Sequence, residues 1–120
     1  MKLDRVIIKT ADYRKSFEFY HEILGLRMKS SWQRPDNWGA LFYCGEILLE
    51  IVWHPDEHDS DPICYPIELQ LQVSNVDALF NRLRSQDGLS ISQLTDEPWG
   101  SRIFSLYDPD RVKIIFAQPI

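Results

Sequence analysis

Two glutamates, Glu50 and Glu68, carry the clearest chemical potential in this sequence. Glu50 lies in the apolar run from Ile47 to Trp53, and Glu68 stands between Ile67 and Leu69. A carboxylate on a partly apolar wall can hold a cationic group, or take and return a proton. Trp38 and Trp99, each followed by a glycine, could stack on a flat ligand at a pocket rim or pack between structural units. His54 and His58 stand at i and i+4 among Asp56, Glu57 and Asp59, a spacing that binds metal on a helix. Here Pro55 and the aperiodic acidic surroundings point instead to a solvated loop. His21 falls off the apolar stripe of its helix, which points to exposure. No Ser-His-Asp or Cys-His arrangement can be assembled, and no phosphate-binding glycine loop is present. Cys44 and Cys64 lack metal-ligand spacing; they read as reduced core thiols of a cytoplasmic protein.

The elements that must position these residues follow from periodicity. Leu3 to Thr10 reads as a strand, with Val6 and Ile8 on one side and Arg5, Ile7 and Lys9 on the other. Asp12 can cap a helix whose Phe17, Tyr20 and Leu24 share a face, and Gly25 ends it. Strands follow at Leu26 to Gln33, Gly39 to Cys44 and Ile47 to Trp53, separated by the turn Pro35-Asp36-Asn37 and by Gly45. His54 to Pro66, rich in Asp and Pro, reads as a linker. The pattern then recurs: a strand from Ile67 to Val73, a helix capped by Asn75 and closed by Gly88, and strands at Leu89 to Leu94, Ser101 to Tyr107 and Val112 to Gln118.

The recurrence is an internal repeat. Placing Arg5 on Glu68 also places Ile8 on Leu71, Phe17 on Phe80, Tyr20 on Leu83 and Gly25 on Gly88. A slightly shorter offset places Trp38-Gly39 on Trp99-Gly100. The fold class is therefore α+β: two βαβββ modules, residues 1–54 and 67–120, joined by a linker at 54–66 within one domain spanning 1–120. One helix covers one face of each sheet. The uncovered face is mixed, with Arg5, Glu50, Glu68, Gln70 and Lys113 among Ile7, Leu48, Val52 and Ile115. So many aliphatic residues beside charges point to the wall of a ligand pocket rather than a bare solvent face.

Composition narrows the partners. The chain has 120 residues, 44% hydrophobic and 26% charged, which suits one globular domain. Its net charge of −5 opposes nucleic acid, whose phosphates need a basic face. No apolar run approaches a membrane span, and the N-terminal residues carry no apolar leader.

Four local patterns resemble the vicinal oxygen chelate superfamily, which includes glyoxalase I, bleomycin-resistance proteins and extradiol dioxygenases. They are Ser16-Phe17-Glu18-Phe19-Tyr20 with Leu24-Gly25-Leu26; Leu48-Leu49-Glu50-Ile51; Val73-Ser74-Asn75-Val76-Asp77-Ala78-Leu79; and Pro98-Trp99-Gly100-Ser101-Arg102 with Asp108-Pro109-Asp110. The resemblance implies a cupped sheet with helices on its convex face, commonly completed across a homodimer. It also implies a divalent metal held by four side chains in the family's enzymes. Those places fall on Arg5, Glu50, Glu68 and Ile115. Arginine stays protonated and has no lone pair to donate, and isoleucine has no ligand atom. The expectation is therefore a site without metal or cofactor, in which Arg5 supplies a fixed positive charge beside Glu50, Glu68 or both.

The sequence thus predicts a metal-free protein that binds a small, flat or cationic, antibiotic-like molecule. Arg5, Trp38, Leu48, Glu50, Glu68, Gln70, Trp99 and Ile115 would line the site. The alternative is an atypical lyase, isomerase or dioxygenase of the same superfamily in which Glu50 or Glu68 moves a proton.

Overall fold

A computed structural model describes residues 1–55 and 65–120. His58, the acidic residues around it and Cys64 lie outside the described residues. The chain divides into two compact units, Met1–Pro62 and Ile63–Ile120.

The first unit runs β1 (Arg5–Lys9), α1 (Tyr13–Phe17), a π-helical continuation (Glu18–Ile23), β2 (Met28–Gln33), β3 (Trp38–Cys44) and β4 (Ile47–Trp53). Its sheet has the order β1-β4-β3-β2. β1 and β4 are parallel, and the other pairs are antiparallel. Asp12 is the helix cap, its side chain accepting from the Lys15 N–H at 3.1 Å. Ile8, Ala40, Phe42, Leu49 and Ile51 point under the helix and are buried. The helical face differs from expectation. Ser16, Phe19 and Tyr20 are buried, while Phe17 and Leu24 are only half-buried. The cause is the wider π-helical turn, in which the Leu24 N–H reaches back five residues to the Phe19 carbonyl at 2.8 Å.

The second unit repeats the plan with β5 (Glu68–Gln72), α2 (Val76–Leu83), β6 (Thr95–Glu97), β7 (Ser101–Tyr107) and β8 (Lys113–Pro119). The sheet order is β5-β8-β7-β6. Asn75 caps α2 through the Ala78 N–H at 3.0 Å, and the Gln118 amide oxygen accepts from the Val76 N–H at 2.8 Å. Val76, Leu83, Phe104, Leu106, Ile114 and Phe116 form its core. Gly25 and Gly88 follow the two helices with φ of 74° and 82°, the left-handed conformation that ends a helix readily only at glycine.

One expected strand is absent. Leu89 to Leu94 is irregular, and β6 forms instead at Thr95–Glu97. Ser92 explains the break. Its hydroxyl accepts from the Ser105 N–H at 2.8 Å, where a strand would offer its own carbonyl.

The turn between β7 and β8 holds Arg111 at φ 66°, a left-handed conformation that costs a residue bearing a Cβ about 1 kcal/mol. Arg111→Gly is expected to leave the midpoint of ligand binding unchanged and to raise stability by about 1 kcal/mol. Urea unfolding followed by far-ultraviolet circular dichroism measures it. A loss of stability would refute the strain.

Candidate functional site

Strand alternation assigns each side chain to a face. In the first sheet Arg5, Ile7 and Lys9 of β1 lie beside Leu48, Glu50 and Val52 of β4 in register. On β3, Gly39 pairs with Val52, Leu41 with Glu50 and Tyr43 with Leu48. On β2, Trp32 pairs with Gly39. These residues make the face turned away from α1.

The centre of that face is an ion pair. Arg5 Nη1 donates to Glu50 Oε1 at 2.8 Å, and Arg5 Nε lies 3.3 Å from Asp4 Oδ2. The Glu50 side chain is 13% exposed against 36% for Arg5, so the carboxylate is mostly covered while its partner reaches the surface. The hydrogen bond to Glu50, reinforced by the one to Asp4, raises the Arg5 pKa above its ordinary value. Ile7 and Leu41 flank Glu50 on neighbouring strands. The expected pairing of Arg5 is therefore met at Glu50.

Trp32 forms the aromatic part of the face. Its indole lies across Gly39, where any Cβ would land within the ring. The Trp32 Nε1–H donates to Asn37 Oδ1 at 2.5 Å, and the Arg34 guanidinium sits 5.6 Å from the ring centroid. Tyr43 carries the Arg27 guanidinium 4.5 Å above its ring. Sequence reasoning singled out neither Trp32 nor Tyr43 for this face. The available signal was a tryptophan and a glycine flanking Pro35-Asp36-Asn37, which a hairpin brings face to face.

The second sheet presents a comparable face. Glu68 pairs in register with Lys113, and Gln70 with Ile115. Lys113 Nζ is 3.8 Å from Glu68 Oε1, with the two side chains 37% and 47% exposed, so this pair is the looser one. The ladders match: Ile7 stands opposite Glu50 as Gln70 stands opposite Ile115.

The two candidate tryptophans sit elsewhere. Trp38 has the strand parity of Ala40 and Phe42 and faces the helix side, with Tyr13 at 5.8 Å and Trp53 at 5.1 Å between ring centroids. Trp99 lies in the turn between β6 and β7 and is 72% exposed. Nor are they equivalent. Leu41 faces Glu50 and Ser105 faces Ile115, so Trp38 corresponds in the ladder to Arg102. A shared Trp-Gly dipeptide suggested otherwise; hydrogen-bond register, which sets the geometry, overrides it. His21 is exposed, as expected, although its ring lies 5.2 Å from that of Phe17. Cys44 is half-buried, and burial raises its thiol pKa, which favours the protonated form.

A family model for the Glyoxalase/Bleomycin resistance protein/Dioxygenase superfamily matches residues 2–116. The chain belongs to this superfamily. Within it, a bleomycin resistance protein of Geobacillus stearothermophilus is 25% identical over 128 residues, covering 94% of this chain and 93% of that one. A glyoxylase/bleomycin resistance protein/dioxygenase domain from Frankia sp. EAN1pec superposes with a TM-score of 0.82 at 19% identity, over 100% of this chain and 93% of the other. TnmS3, an antibiotic binding protein from Streptomyces sp. CB03234, gives 0.74 at 23% identity, over 100% and 97%. Of the residues that the resemblance assigns to metal positions, Arg5 and Glu50 lie on the first sheet and Glu68 and Ile115 on the second. Neither sheet offers a set that fits an ion: on the first, Arg5 has no lone pair and Glu50 Oε1 already accepts from it, and on the second, Ile115 has no ligand atom. Among the described residues no three His, Cys, Asp or Glu side chains cluster as metal ligands. No described helix is long and apolar enough to cross a membrane.

Proposed function

We propose that this superfamily member binds a small, flat, antibiotic-like molecule on the open face around Glu50, with no metal. The observation that carries this is that the Arg5–Glu50 pair, Trp32 and Tyr43 share the sheet face turned away from α1. Rings give a planar ligand area to stack on at little entropic cost, and the ion pair gives it fixed polar contacts. The similarity to a bleomycin resistance protein supports the same class of ligand. A cationic group is a weaker expectation than the sequence suggested, because the charge of Glu50 is met by Arg5. Glu68, Gln70 and Ile115 extend the proposal to the second sheet's open face. A homodimer in the cytoplasm completes the reading; Ile7 is 53% exposed on the open face, an apolar surface that a second copy would cover.

Titration with bleomycin and a series of planar antibiotics, followed by tryptophan emission, tests the reading. Saturable quenching is expected. Arg5→Gln and Glu50→Gln should each weaken it about tenfold, since the first leaves Glu50 without its guanidinium and the second leaves Arg5 only the exposed Asp4. Thermal melts of both variants separate this from unfolding. An unresponsive wild type, or variants that fold and bind unchanged, would overturn it. Sedimentation at micromolar concentration tests the dimer.

A further inference from the structure

The two units differ in one corner on the helix side, and the difference points to a second binding site. A single helix, about 10 Å across, covers roughly two strands spaced about 4.8 Å apart. In the first unit this leaves β2 uncovered beside α1. A cavity of about 410 Å³ opens there, lined by Tyr13, Arg14, Phe17, Ser31, Gln33 and Trp38. That volume lies within the range of small-molecule sites.

In the second unit the matching corner is closed by charge. Arg102 Nε donates to Asp77 Oδ1 and Arg102 Nη1 to Asp96 Oδ1, both at 3.0 Å. The positions correspond one to one. Asp77 and Arg14 are each the second residue of their helix. Asp96 pairs with Arg102 on the edge strand as Gln33 pairs with Trp38. Arg102 and Trp38 share their ladder position, as shown above. The first unit has thus replaced a cation between two carboxylates by a tryptophan between an arginine and an amide. Among the described residues Arg14 has no carboxylate at ion-pair distance, and it is exposed. Among the described residues, the two carboxylates that balance the Arg102 guanidinium in one corner have no counterpart beside Arg14 in the other.

We propose that this corner binds small planar aromatic carboxylates. Arg14 would take the carboxylate with its forked N–H donors, and the Gln33 amide and Ser31 hydroxyl offer further donors on the facing strand. The ring system would lie against Trp38 and Phe17. Tyr13 is fixed for this role: its hydroxyl donates to the Gly39 carbonyl at 3.1 Å, and its ring meets those of Trp38 and Phe17 at 5.8 and 5.9 Å. Burial also raises the Tyr13 pKa, so the phenol remains neutral beside an anion. The site lies on the opposite face of the sheet from Glu50 and is independent of the function proposed above.

The test is a titration of the nitrogen-15-labelled full chain with 1-naphthoate, read at the tryptophan indole N–H signals. Trp38→Phe identifies the Trp38 signal by its loss. That signal is expected to move saturably, with a Kd of about 1 mM or below. The neutral 1-naphthalenemethanol should bind about tenfold more weakly, and Arg14→Gln should abolish that preference. Arg14→Gln alters an exposed side chain, so the fold is retained. Glu50→Gln, on the other face, should leave the naphthoate affinity unchanged. A Trp38 signal that does not move by about 10 mM, or a preference for the acid that persists in Arg14→Gln, would overturn the proposal.

Discussion

Replacing Asp108 by alanine is expected to destabilise the protein by about 3 kcal/mol, the largest loss from any polar substitution considered for the second unit. Asp108 is only 4% exposed, in the turn joining β7 to β8. One of its oxygens, Oδ1, accepts from the N–H groups of Asp110 and Val112, both at 2.8 Å. Its own backbone N–H donates to the Val112 carbonyl at 3.0 Å, so side chain and main chain close the same turn. Alanine leaves two backbone donors without that acceptor, one of them on Val112, which is 1% exposed. Each buried donor left unpaired costs about 1–3 kcal/mol. Asp108→Asn keeps an acceptor oxygen and should lose about 1 kcal/mol. Urea unfolding of both variants measures the pair. If alanine and asparagine cost the same small amount, the turn does not depend on the oxygen.

This turn shows what was legible in the sequence. Asp108-Pro109-Asp110 was visible as a motif, but the part played by its first aspartate emerges only when the hydrogen bonds are placed. Alternation was legible wherever one sheet face is apolar. β4 occupies the expected run from Ile47 to Trp53, and β5 lies within Ile67 to Val73. Asp12 and Asn75 were legible as caps because a short polar side chain just before an apolar stripe can accept from an unpaired N–H of the first turn. The π-helical turn was not legible, since one extra residue per turn changes which side chains face the core without changing composition. Leu89 to Leu94 alternates like a strand, yet the Ser92 hydroxyl substitutes for a ladder partner. Such competition between side chain and main chain leaves no periodic trace.

The site was half legible for a related reason. Parity along one strand placed Arg5 with Ile7 and Glu50 with Leu48, and the pairing of β1 with β4 then brings Arg5 to Glu50. Parity cannot say which strand lies beside which until register is known. Parity alone therefore does not single out Trp32, and it leaves the face of Trp38 open until register places it on the helix side. A one-residue shift in strand position reverses every side chain.

Gly39→Ala is the second large effect expected, and it ties the fold to the site. The added Cβ would overlap the Trp32 indole. The ring cannot rotate aside without giving up the Nε1–H bond to Asn37, which helps to set the β2–β3 hairpin. Overpacking of this kind costs about 1–3 kcal/mol, and here the lost hydrogen bond places the expectation near about 3 kcal/mol. The displaced indole would also leave the open face, so binding of a planar antibiotic should weaken about tenfold or more. A double-mutant cycle isolates the cause. In a Trp32→Leu background the clash is gone, and alanine at position 39 should be neutral or slightly stabilising, because glycine is a poor strand residue. Urea unfolding of the four proteins gives the coupling directly, and near-ultraviolet circular dichroism reports the indole's environment. An alanine cost that is the same with tryptophan and with leucine at position 32 would show that Gly39 serves the backbone rather than the ring. The aromatic wall of the proposed site would then have to rest on Tyr43 and its Arg27 partner instead.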